Sequence, residues 1–172
     1  MNDKFDLSGL RVEDSDGLYQ REGYRICESL GYLLKRTVTM LSGAIDQELA
    51  QYDLTHPQFS ILMILSERNC YTAADLARET CGDTGAITRM LDRLEAKDMV
   101  RRVRSVEDRR VVNIELTQSG KLFAEKIPVV AINVLNRHLT GFSKEELETM
   151  KGFLRRLLSN GGVPITGMSA NT

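Results

Sequence analysis

TAADLARETCGDTGAITRMLDRLEAK, residues 72–97, holds two short helical patterns parted by Gly82-Asp83. Thr72 and Asp75 form a capping pair that opens the first, predicted to run through Cys81 and to stop at Gly82. Asp83 opens the second, from Thr84 to about Lys97, with Ile87, Leu91 and Leu94 recurring on one side. The period then changes. Val103 stands among arginines, and Val112, Ile114 and Leu116 alternate with Val111, Asn113 and Glu115, as the two faces of a strand do. Ser105 to Arg110, between the two runs, is polar and reads as a hairpin tip.

Two short helices with a tight turn and then a hairpin describe a winged helix-turn-helix. Upstream, Ile26, Leu30, Leu33/Leu34, Val38, Leu41, Ile45 and Leu49 form the stripe of a long amphipathic helix. Thr55 opens the next helix, its side chain capping the N–H three residues on, Gln58 reaching back and Pro57 in the first turn. Phe59, Leu62, Met63 and Leu65 make that helix apolar on most sides and so buried. Downstream, a helix is expected from Thr117 to about Leu139, bent near Pro128. Ser143 with Glu146 opens a last helix carrying Leu147, Met150, Phe153, Leu154 and Leu157. The fold class is therefore mainly α with a small β-hairpin wing. The expected organisation is an N-terminal arm (1–22), a first dimerisation helix (23–53), the winged lobe (54–116), C-terminal dimerisation helices (117–159) and a tail (160–172). The flanking helices carry more apolar stripe than a lobe of about seventy residues covers, and a dimer would bury it.

The 172 residues include 42% hydrophobic and 27% charged ones, as in an ordinary soluble domain. No apolar run is long enough to span a membrane and Met1-Asn2-Asp3-Lys4 begins no signal peptide, so the expected location is the cytoplasm. Cys27, Cys70 and Cys81 form neither a disulfide framework nor a CxxC metal pair. His56 and His138 sit in no metal or nucleophile motif, and no glycine-rich phosphate loop is present. No catalytic residue, metal or cofactor is expected.

Net charge is −1, which excludes a polycation but not a basic surface. Arg89, Arg93, Lys97, Arg101, Arg102, Arg104, Arg109 and Arg110 stand within 22 residues against Asp92, Glu95, Asp98, Glu107 and Asp108, a local balance of +3. Such a run is ordinarily a solvated face. Here it falls on the second helix and the hairpin after it, where phosphate contacts need cations concentrated. With Ile87, Leu91 and Leu94 inward, Gly85, Thr88, Arg89, Asp92 and Arg93 face outward. Thr84, Gly85 and Ala86 allow close backbone approach to a groove.

Leu54-Thr55-His56-Pro57-Gln58-Phe59, Asp83 to Glu95, and Asp108-x-Arg110 followed after five intervening residues by Leu116-Thr117 together resemble the MarR family of bacterial transcriptional regulators. The resemblance spans roughly Arg25 to Ser159. It implies a homodimer with interlocked terminal helices, whose two winged lobes straddle a pseudo-palindromic operator in double-stranded DNA. It implies that Thr84, Gly85, Ala86, Thr88 and Arg89 enter the major groove, that Arg110 enters the minor groove, and that Asp108 orients nearby arginines. Thr72, Arg93 and Arg104 complete the expected DNA-contact set. The usual outcome is repression of a neighbouring operon, relieved by a ligand.

Many relatives bind small aromatic or lipophilic acids between dimer helices and DNA lobe. On this sequence the candidates are Tyr32, Arg36, His56 and Phe59, ring faces plus a cation for a carboxylate. Phe59 reads equally as core, and His56 as a helix-start residue. A second branch senses peroxides through a cysteine, but Cys27 lies about one turn too early and Gly31 stands at the branch's position. A winged helix used only for protein contacts is the remaining alternative, and sequence preference on DNA separates it.

Overall fold

The computed structural model describes residues 9–12, 16–67, 71–80 and 82–163. Its elements, in order, are α1 (Leu30–Leu49), α2 (His56–Glu67), α3 (Ala73–Glu79), α4 (Thr84–Ala96), β1 (Val100–Arg104), β2 (Val112–Leu116), α5 (Gln118–Lys126), α6 (Pro128–His138) and α7 (Lys144–Asn160). The chain divides into two compact units, Met1–Leu41 and Ser42–Thr172, with the division inside α1.

In the first unit a 3-10 turn, Ile26–Glu28, precedes α1. Ser29 is buried; its hydroxyl donates to Ile26 O at 2.7 Å and accepts the Tyr32 N–H at 3.3 Å, so it starts the helix as a cap. Residues 16–22 belong to the expected loose arm, yet Tyr19 packs edge-on against Tyr24 and its hydroxyl accepts the Leu30 N–H at 2.8 Å. One of the helix's orphan donors is thus met by the arm. Ile26, Leu30, Leu33 and Val38 of the predicted stripe are exposed.

The second unit is built on one core. Ile45 and Leu49 contribute from the end of α1, and Phe59, Ile61, Leu62 and Leu65 from α2. Leu76, Ile87, Leu91, Leu94, Val100, Ile114 and Leu116 come from the middle segment, and Ala124, Ile127, Val130 and Val134 from α5 and α6. β1 and β2 pair antiparallel, Val100 opposite Leu116 and Arg104 opposite Val112. Tyr71, just before α3, adds an isolated bridge to Ile114, its carbonyl accepting the Ile114 N–H at 2.7 Å. A single-residue bridge has no period of its own, so no alternation in the sequence announces it.

Two expected details differ. The helix from Thr117 to Leu139 is two helices: Ile127 closes α5, and Pro128, which lacks an N–H, opens α6 at its first position. At the start of α2, Gln58 Oε1 accepts the Thr55 N–H at 3.1 Å as expected, but the Thr55 hydroxyl bonds to no described residue. Asp46 of α1 supplies the second cap by accepting the His56 N–H, placing a carboxylate at the positive end of the helix. That acceptor comes from ten residues upstream, beyond any local capping rule. Cys70, Cys81 and residues 164–172 of the expected tail lie outside the described residues.

The Thr72–Asp75 box is complete: Asp75 N–H donates to Thr72 Oγ1 at 3.2 Å and Thr72 N–H to Asp75 Oδ2 at 2.9 Å. The Thr72 hydroxyl, then its backbone N–H, hold the Asp75 carboxyl below its ordinary range. A depressed folded-state pKa stabilises above the unfolded value, about 3.9, and that contribution is lost as pH falls through the folded value. Thr72→Ala should cost about 1 kcal/mol at neutral pH. The gap from the parent should shrink in thermal melts taken below about pH 4. An equal gap at both pH values would remove the carboxylate from the account.

Candidate nucleic-acid interface

α4 forms because Asp83 Oδ1 accepts the Ala86 N–H at 2.9 Å and because Ile87, Leu91 and Leu94 bury one side. Its end is a Schellman motif. Met99 N–H returns to Leu94 O and Asp98 N–H to Glu95 O, with Asp98 left-handed at φ 54°. Thr84, Gly85, Thr88 and Arg89 are exposed and Ala86 half-buried, the outward face read from the sequence. The Thr88 hydroxyl donates back to Thr84 O at 2.9 Å. A Cβ on Gly85 would lie 3.0 Å from Asp83 Oδ1 and 3.6 Å from Arg89 Nη1. The glycine therefore leaves space at the helix start for both the cap and a guanidinium folded back over it.

Not all eight cations are available to a polyanion. Arg101 pairs with Glu115 at 2.8 Å across the hairpin, and Lys97 with Asp53 at 2.7 Å. Arg102 bridges Asp92, at 2.7 Å, and Glu95. Arg89, Arg93, Arg104, Arg109 and Arg110 form no ion pair with a described residue, and all five are exposed. The pairing sorts the cations into three that brace the lobe and five left for a partner. Only the Arg101–Glu115 pair follows from the hairpin register; the Asp92–Arg102–Glu95 bridge needs the packing of β1 on α4.

The wing tip is an ordered turn. Ser105 Oγ accepts the N–H groups of Glu107 and Asp108 at 3.2 and 3.4 Å, and Asp108 Oδ1 accepts the Arg110 N–H at 2.9 Å. Asp108 thus positions Arg110 through its backbone, and the guanidinium forms no ion pair with a described residue. Leu116-Thr117, the other end of the motif, locks the base. Thr117 N–H donates to Met99 O at 3.1 Å and its hydroxyl to Asp98 O, while Thr117 Oγ1 accepts the Gly120 N–H at 3.0 Å.

Thr72 is committed to its capping box, and Arg93 lines a groove beside α2. Of the expected effector residues, Arg36 Nη1 donates to the Tyr32 hydroxyl at 3.2 Å with its guanidinium 5.7 Å from that ring's centre, which raises the Arg36 pKa. His56 stacks on Phe59 at 6.4 Å, and Phe59 is buried. Cys27 is exposed, and the nearby Arg25 guanidinium is taken by Glu28 at 3.4 Å.

A helix-turn-helix whose second helix carries guanidiniums without an ion pair to a described residue, followed by a braced hairpin with more at its tip, defines a winged helix-turn-helix DNA-binding protein. The MarR family model matches residues 54–112. The multiple antibiotic resistance protein MarR of Escherichia coli is 32% identical over 130 residues, 73% of this chain and 90% of that protein. The organic hydroperoxide resistance transcriptional regulator of Bacillus subtilis is 34% identical over 110 residues, 64% of this chain and 74% of that protein. Among solved structures, the S. aureus MepR–DNA complex superposes with a TM-score of 0.70 at 28% identity, over 77% of this chain and 98% of that one. The chain belongs to the MarR family of transcriptional regulators, proteins that are not enzymes.

Proposed function

We propose that this regulator works as a homodimer on a pseudo-palindromic operator, represses a neighbouring operon, and is released by a small aromatic or lipophilic acid. The observation that carries the DNA reading is the sorting of cations, with five guanidiniums on α4 and the wing that form no ion pair with a described residue. Thr84, Gly85, Ala86, Thr88 and Arg89 read the major groove, with Thr72, Arg93 and Arg104 supporting them at the backbone. Arg110, oriented by Asp108, enters the minor groove. Dimerisation is favoured by α7, which has no buried residue and exposes Phe153, Leu157 and Leu158, and by Val129 and Ile132 exposed on α6. Tyr32, Arg36, His56 and Phe59 are assigned to the effector, whose carboxylate suits Arg36.

Fluorescence anisotropy on the gene's own upstream fragment against scrambled DNA tests this. Specific binding should exceed nonspecific binding by about a thousandfold or more and fall steeply with salt. One of a panel of aromatic acids should release it, and stoichiometric hydroperoxide should leave it unchanged. Salt-sensitive binding without sequence preference would favour a protein-contact module instead. Arg110→Ala should weaken operator binding by about 1–3 kcal/mol per half-site and relax preference for A·T-rich flanks. An unaltered flank preference would take Arg110 out of the minor groove.

A further inference from the structure

The hairpin tip, Ser105 to Arg110, holds a single apolar side chain, Val106. It is 98% exposed, more than any other large hydrophobic residue described in the second unit, where Phe153 follows at 59%. Isolated aliphatic residues are ordinary on protein surfaces, but this one stands on an ordered turn. Ser105 N–H donates to Val111 O and Val111 N–H to Asp108 O, each at 2.9 Å. Ser105 Oγ and Asp108 Oδ1 add the three bonds already described. None of these bonds uses the valine side chain, and a β-branched residue brings no advantage to such a turn. Its χ1 is stiff, so covering it costs little side-chain freedom. Arg104, Arg109 and Arg110 stand close to it along the chain, exposed and without an ion pair to a described residue.

We propose that Val106 packs against the deoxyribose C–H groups that wall the minor groove, as an uncharged DNA-contact residue of the wing. This contact rests on the minor-groove placement of the wing given above, and it adds an apolar grip to a tip otherwise read for its charge. The guanidiniums draw the tip to the phosphates, but a screened charge acts over about 10 Å and fixes no depth of insertion. A short-range contact does. The minor groove is only about 6 Å wide, and between its phosphate rows the walls are sugar carbons. A side chain without a hydrogen-bonding group leaves no polar atom unsatisfied against such a wall. Covering it removes apolar surface from water and releases no counterions, so its contribution is independent of the salt-dependent one that the arginines make.

The test is fluorescence anisotropy of the full-length protein on the gene's own upstream fragment over a range of salt concentrations. Val106→Ala should raise the Kd about threefold per half-site, hence about tenfold for a two-fold dimer. The factor should be the same at every salt concentration, leaving the slope of log K on log salt unchanged. Val106→Thr, which keeps the shape but sets a hydroxyl in place of a methyl, should lose a similar factor. Val106→Ile should bind at least as tightly as the parent. Arg110→Ala should instead make the slope shallower, by about one per half-site. Melting temperatures of the Val106 variants should match the parent's, because the side chain is almost fully exposed. If Arg110→Ala weakens binding while Val106→Ala does not, the valine contact is overturned and the wing stays in the minor groove. If neither variant changes binding, both readings fall. A Val106→Ala loss that fades with added salt would also overturn the apolar contact.

Discussion

Replacing Gly120 with alanine is expected to destabilise the DNA-binding unit by about 3 kcal/mol and to lower its melting temperature by roughly 10 °C. A Cβ at this position would stand 1.9 Å from Met99 O, 2.9 Å from Met99 C and 3.3 Å from Leu116 Cδ2. The first two are backbone atoms and cannot rotate away. Met99 is also fixed by three hydrogen bonds: its N–H to Leu94 O, and its carbonyl to the Thr117 N–H at 3.1 Å and the Thr117 hydroxyl at 3.3 Å. Relief therefore requires pulling the first turn of α5 off the end of α4, which would loosen the base of the wing. Operator affinity should fall with stability. Gly31→Ala, in α1 where nothing lies within 4 Å of the added methyl, is the control. It should be neutral or stabilising, by up to about 1 kcal/mol. Denaturation of both variants by urea checks the pair, and a Gly120→Ala midpoint equal to the parent's would show that α5 can slide on α4.

Arg89→Ala is expected to cost roughly 1–3 kcal/mol at each half-site, and a two-fold dimer loses the contact twice, roughly 2–6 kcal/mol on the cognate operator. Arg89 is exposed, free of ion pairs with described residues, and folded towards the start of α4 in the space Gly85 leaves. Arg102→Ala is the contrast. That residue spends its charge on Asp92 and Glu95, so its loss should lower stability more than it lowers specificity. Anisotropy on cognate and scrambled DNA separates the roles. If Arg89→Ala weakens both DNAs equally, Arg89 touches phosphates and not bases.

Much of this was legible locally. The capping boxes at Thr72–Asp75 and Ser143–Glu146, the Asp83 cap, and the inward triad Ile87, Leu91 and Leu94 are all formed as read. Each depends on residues three or four apart on one helix, so spacing alone specifies them. The wing followed from its period of two, and Asp108 was tied to arginine orientation. What spacing could not show was that Asp108 acts on the Arg110 N–H rather than on a guanidinium. The arm at 16–22 carries several charges and few large apolar residues, so nothing marked Tyr19 as the acceptor of the Leu30 N–H.

By itself the sequence determined the two short helices and the hairpin, the winged helix-turn-helix class and the charged stretch proposed to meet DNA, because periodicity, caps and charge density are properties of short windows. Only the tertiary structure decided which cations are free. Asp53 reaches Lys97 across 44 residues, Glu115 reaches Arg101 across 14, and Arg102 closes on α4 from β1. It alone also showed that Gly120 lies against Met99 and that Gln58, Arg93 and Lys97 line one groove. Ion pairing and close approach depend on distances between segments remote in the chain, and those distances exist only once the core has brought the segments together.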